Sequence, residues 1–252
     1  MHQADQHRAV IVGAGMAGLA AALRLAAAGR SVVVVEAADA PGGKLRRVSA
    51  GGKTFDAGPT VLTMKWVFDD LLACYGSSLE AELPLQKADV LARHYWSDGS
   101  CLDLFSDREK TARAIGDFAG RRNAEGYRRF AEDSRRIFSL LRDSFIDATR
   151  PNPVSLAGRI GLNRAGALLA IRPFTTLWAA LGDYFPDPRL RQLFGRYATY
   201  CGASPFEAPA TLMMIAHLEK AGVWFVEGGM TRLAEAMAQL AQRLGVKIRY
   251  GV

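Results

Sequence analysis

Three glycines fall in the run Gly13-Ala14-Gly15-Met16-Ala17-Gly18, and an acid, Glu36, follows at about the twenty-residue offset that suits a dinucleotide. In such a loop the first glycine permits a tight turn, the second lets backbone approach a pyrophosphate, and the third lets a helix pack closely on a strand. The phosphates then meet the free N–H groups at the helix start, where the helix dipole favours negative charge. A carboxylate at position 36 accepts hydrogen bonds from a ribose diol and repels a 2′-phosphate, which disfavours NADP. This chemistry requires a strand before the loop, a helix after it and a second strand ending at the acid.

The sequence supplies those elements. Ala9 to Val12 is an apolar run ending at Gly13, and Ser31 to Val35 is a β-branched run ending at Glu36, so both read as buried parallel strands. Ala17 to Ala28 is nearly all Ala and Leu and reads as the helix between them, closed by Gly29. Hairpins are expected at Leu45–Val48 with Lys53–Phe55, turning at Gly51 and Gly52, and at Leu91–Trp96 with Leu102–Phe105. A helix is expected from Lys65 to Tyr75, with Val67, Phe68, Leu71 and Leu72 on one face. From Asp107 to about Gly202 the apolar spacing is mainly helical. The chain then returns through a strand at Val223–Val226, a helix carrying Leu233, Met237, Leu240 and Leu244, and a strand at Val246–Tyr250. That return predicts re-entry into the first domain, with the sequence stopping before the fold closes.

Composition narrows the function classes. The 252 residues are 50% hydrophobic and 23% charged, which fits a globular chain with a substantial core. Cys74, Cys101 and Cys201 lie far apart without metal or disulfide spacing, so they read as reduced thiols and no metal site is expected. The polar start lacks a signal peptide's apolar core, which points to the cytoplasm. No uncharged apolar run is long enough to span a bilayer. The net charge is +7, but the basic residues are scattered among acids, and nucleic acid is not an expected partner. Ala40 to Lys44 is not a phosphate loop of the triphosphatase kind, because Ala38 and Leu45 occupy positions that need Gly and Ser or Thr.

Taken with Gly42, Gly43 and Lys44, the glycine run and Glu36 resemble the opening of the flavin amine oxidase and phytoene desaturase group. The run Phe55 to Thr60 (FDAGPT) is similar to its carotenoid desaturases, as are Gly202–Pro209 and Gly222–Met237. The extension Gly58 to Met64 looks most like the 1-hydroxycarotenoid 3,4-desaturases. The resemblance implies an α/β fold: a Rossmann-like FAD-binding domain with an inserted helix-rich substrate domain, cut short at the C-terminus. The expected segments are 1–84 for the first part of the FAD domain, 85–221 for the substrate and membrane-facing domain, and 222–252 for the return. FAD is the implied cofactor, with Lys44 towards its phosphates or ribose and Gly58, Pro59 and Thr60 beside the isoalloxazine ring.

The implied reaction removes a hydride and a proton from an apolar carotenoid, with oxygen or a quinone as final electron acceptor. Arg93, His94, Tyr95 and His217 are polar groups in reach of such a role, but nothing in the sequence lifts them above structural duty, so no catalytic residue is assigned. Between Asp147 and Asp183 there is no acid, while Arg150, Arg159, Arg164 and Arg172 alternate with apolar residues and Trp178. This segment reads either as a peripheral contact with the inner face of the membrane or as a helical core with a basic solvated face. Two rivals stay open: phytoene desaturase or another oxidoreductase of the group, and the prenyl-protein escort proteins of similar architecture, which bind lipid groups without redox work. The intact glycines and Glu36 argue against the second.

Overall fold

The computed structural model describes residues 8–142, 146–147, 172 and 174–252. In chain order the first elements are β1 (Arg8–Val12), α1 (Met16–Ala27), β2 (Ser31–Glu36), β3 (Arg47–Ala50), β4 (Lys53–Asp56), α2 (Lys65–Ala73), α3 (Leu79–Glu82) and β5 (Leu85–Lys87). There follow β6 (Val90–Tyr95), β7 (Cys101–Phe105), α4 (Arg108–Ala119), α5 (Arg121–Leu141), α6 (Leu177–Gly182) and α7 (Pro188–Gly195). After 3₁₀ turns at Arg196–Cys201 and Ala210–Met213 come α8 (Met214–Ala221), β8 (Trp224–Val226), α9 (Thr231–Arg243) and β9 (Lys247–Tyr250).

The chain divides into two compact units, residues 1–88 with 223–252, and residues 89–222. In the first unit, β1, β2 and β9 form a parallel sheet in that order, with Val33 opposite both Val10 and Lys247. Val32, Val33 and Val34 are buried because β2 has a neighbour on each side, whereas β1 is an edge and leaves Val10 and Val12 63% and 86% exposed. Leu19, Ala22 and Leu23 of α1 and Leu233, Met237 and Leu240 of α9 belong to the same core. The helix period places those residues on one face. Leu244, past the end of α9, and Val67 on α2 are exposed, against the expectation for each.

The first division falls after Ala88 rather than after residue 84. The cause is β5, a short strand that pairs antiparallel with β8, Leu85 opposite Val226 and Lys87 opposite Trp224. In the second unit the β6–β7 hairpin covers a helical core built on α4 and α5. Phe130, Phe185 and Phe194 cluster there with centroids 4.8–5.5 Å apart, Phe185 stacked on Phe194 and Phe130 edge-on to Phe185. Among the described residues no helix is long and apolar enough to cross a membrane. Arg150, Arg159 and Arg164 lie outside the described residues. Arg172 is paired with Asp183 at 2.6 Å.

Candidate functional site

The site is built where β1 turns into α1. Gly13 leaves the strand with φ +98°, a conformation that side-chain-bearing residues rarely adopt, and its N–H donates to Val35 O at 2.7 Å. That turn brings the helix start against the strand end so closely that a Cβ on Gly18 would lie 2.0 Å from Gly13 O. Gly15 caps α1 without a side chain, and no acid stands in the first turn. The first N–H groups of an α-helix lack intrahelical acceptors, and among the described residues no side chain caps them, so the start of α1 offers donors and positive dipole to an anion. A Cβ on Gly15 would meet no atom of the other described residues within 4 Å apart from its chain neighbours, so among them its approach side is open.

Glu36 sits at the end of β2 and is locked to the same turn. One carboxylate oxygen accepts from Ala14 N at 2.6 Å and the other from Ala38 N at 2.9 Å. These N–H groups, that of Ala38 foremost and then that of Ala14, hold its pKa below the ordinary glutamate value. An ionised carboxylate held by these backbone N–H groups still keeps a lone pair for a further donor, such as a ribose diol.

The second glycine pair is carried to this place by backbone pairing. Gly42 N donates to Ala14 O at 2.9 Å, and Gly15 and Gly42 form a parallel bridge. Exposed Lys44 follows, and its carbonyl oxygen would lie 2.1 Å from a Cβ on Gly58. Residues 13–18, 42–44 and Gly58 thus adjoin through backbone within the first unit, and Glu36 joins them through its carboxylate. Pro59 and Thr60 continue from Gly58 as an exposed loop, which Leu62 fastens by reciprocal bonds with Trp224 at 2.8 and 2.9 Å.

Asp56 was not singled out by sequence reasoning. It accepts from Met230 N at 3.0 Å and Thr231 Oγ1 at 3.4 Å, capping α9, whose own cap residue Met230 has no side-chain oxygen to offer. Arg47 reaches Gly228 O, so the β3–β4 hairpin is fastened to the glycine loop before α9. Thr231 at the start of α9 offers the sequence a local cap residue, so nothing nearby pointed to Asp56.

The four polar candidates lie in the second unit. Arg93 forms a bidentate pair with Asp103 at 2.7 and 2.8 Å, and Tyr95 is exposed. His94 and His217 are both pushed below the ordinary histidine value, chiefly by burial. Among the described residues His94 Nε2 is buried without a hydrogen-bond partner, and His217 packs on Phe138 at 4.9 Å. Among the described residues no group of His, Cys, Asp and Glu could hold a metal ion.

Similarity to known proteins agrees with this geometry. The chain is 50% identical over 246 residues to a hydroxyneurosporene desaturase of Rubrivivax gelatinosus, covering 97% of this chain and 47% of that protein. It is 46% identical over 250 residues to the hydroxyneurosporene desaturase of Cereibacter sphaeroides, covering 97% and 49%. Wild-type putrescine oxidase bound to putrescine superposes with a TM-score of 0.55 at 18% identity, over 96% of this chain and 50% of that one, a likeness of fold. The chain spans about half the length of the curated relatives it matches. A family model described as flavin containing amine oxidoreductase matches residues 16–252, and the chain belongs to that family.

Proposed function

We propose that this chain is part of an FAD-dependent carotenoid desaturase that makes a new C=C bond in a 1-hydroxycarotenoid. The observation that carries the reading is the uncapped start of α1, pressed on β1 at Gly18 and joined to Glu36 through Ala14 N. An anion-binding helix start beside a locked carboxylate suits a diphosphate and an adenosine ribose. The names of the relatives supply the substrate class.

The first unit is the Rossmann-like FAD-binding domain in this reading. Gly13, Ala14, Gly15, Met16, Ala17 and Gly18 hold the diphosphate through backbone N–H groups, and Glu36 accepts from the ribose. Gly42, Gly43 and Lys44 flank the same nucleotide, and Gly58, Pro59 and Thr60 border the isoalloxazine ring. When bound, FAD supplies the two-electron acceptor that removal of a hydride and a proton from adjacent carbons needs, before oxygen or a quinone takes the electrons. The protein's own share is to hold the nucleotide, orient an uncharged chain and exclude water.

The second unit faces the substrate and the cytoplasmic side of the membrane. Support comes from the acid-free sequence between Asp147 and Asp183, whose arginines suit anionic headgroups. The test uses the full-length protein. It is expected to purify yellow, and a 1-hydroxycarotenoid added without oxygen should bleach the flavin band and yield the desaturated product. A colourless protein, or a flavin that no carotenoid bleaches, sinks the proposal.

A further inference from the structure

The second unit contains a cavity of about 240 Å³ that the site above does not use. Its apolar wall is Leu104, Tyr127, Phe130, Phe194 and Ala216, all buried. Tyr127 and Phe130 stand one turn apart on α5 and pack on Phe194 of α7, with centroids 5.9 and 4.8 Å away. Small residues leave the space open, Ala131 on α5 and Ala216 on α8.

Charged groups also line this cavity, and each already has its partner inside the protein. Glu219 is 7% exposed and accepts from Arg196 at 2.8 and 3.0 Å, from Tyr197 Oη at 2.8 Å and from Tyr200 Oη at 3.2 Å. Lys220 donates to Phe105 O and to Thr111 Oγ1, and it faces the Tyr127 ring at 5.7 Å. Arg108 and Arg135 share Glu132, at 3.3 and 2.6 Å. His217 is pushed below the ordinary histidine value by burial first and then by Arg135. Thr111 Oγ1 accepts from Phe105 N and Lys220 while donating to a backbone carbonyl. The buried Tyr127 hydroxyl has the Thr111 hydroxyl as its neighbour.

Lys220 keeps one N–H beyond its two bonds, but an anion reaching it would lose hydration against a mostly apolar wall and face the Glu219 carboxylate, whereas an uncharged chain need displace only water. The volume is below the roughly 300–1,000 Å³ of a site for a whole drug-sized ligand, so the cavity fits the end of a long molecule. We propose that this cavity seats one end of an acyclic, methyl-branched isoprenoid chain and acts as the stop that fixes how far the substrate enters. The proposal rests on the carotenoid reading above.

The test measures binding of farnesol, a neutral isoprenoid alcohol, and of oleate, a carboxylate, to the flavin-loaded full-length protein and to Ala216→Phe and Ala131→Phe. The fillings should weaken farnesol binding at least tenfold while the flavin content per protein stays as in the unaltered protein. Unchanged farnesol affinity in a folded, yellow Ala216→Phe overturns the assignment, and so does tighter binding of oleate than of farnesol by the unaltered protein. Should both variants misfold, the unaltered protein still decides. Diethyl pyrocarbonate modification of His217, mapped by mass spectrometry, should slow when farnesol is present, and an unslowed reaction rejects the cavity. Farnesol protection without any flavin bleaching by carotenoids defeats the desaturase reading alone. Bleaching without protection defeats the cavity alone.

Discussion

A methyl group at position 18 would press on the carbonyl of Gly13 from 2.0 Å, and backbone on both sides leaves little room to yield. Gly18→Ala is therefore expected to cost about 1–3 kcal/mol of stability by overpacking. It should also lower the flavin retained on purification, read as the flavin-to-protein absorbance ratio; an alanine variant with full flavin content contradicts the role given to this loop. Glu36 carries a pH dependence. Its folded pKa is depressed, so its contribution to stability is complete above the unfolded value and is lost as pH falls through the folded one. Denaturation series from neutral pH into the range below the ordinary carboxylate pKa should show Glu36→Gln less stable at neutral pH and less sensitive to acid. Equal acid sensitivity in the two proteins refutes this. Gly18 was legible because so close a backbone approach admits only glycine, and Glu36 was legible by its offset, although its bonds to Ala14 N and Ala38 N were not foreseen. Asp56 was not legible, since its partners Met230 and Thr231 lie 174 and 175 positions away.

At the scale of elements, the helix periods were readable where one face meets a core, as in Leu233, Met237 and Leu240 of α9. The pairing of strands was harder to read. A strand at Val223–Val226 was foreseen, but its partner Leu85–Lys87 has three residues, too few to show a period of two. Asp56 ties the β3–β4 hairpin to α9, so Asp56→Ala should cost the helix its cap, about 1 kcal/mol. The thermal midpoint then falls by roughly 2–4 °C for a chain of this size. Asp56→Asn, which caps comparably, should recover most of that loss, and an alanine variant as stable as the unaltered protein excludes the cap.

For the molecule as a whole, the second unit is one continuous stretch with its own core, while the first is assembled from two distant segments. Residues 89–222 expressed alone should therefore unfold in a single cooperative transition with a near-ultraviolet signal from the Phe130, Phe185 and Phe194 cluster. Secondary structure without that signal would show that the stretch needs the rest of the chain. The order strand–helix–strand, helical middle and returning strand was legible because Gly-rich turns and apolar periods are local marks. The place of β9 beside β2 was legible only as a return to the first domain, for a sheet register is set by neighbours and not by the strand itself.

That register has a kinetic consequence. The strand ending in Glu36 is flanked on one side by a segment made at once and on the other by residues 247–250. On the ribosome the intervening region can collapse first, while the nucleotide loop waits on a half-built platform for its last neighbour to emerge. Cofactor loading should accordingly follow synthesis of residue 250, so that stalled nascent chains ending before β9 recruit flavin poorly.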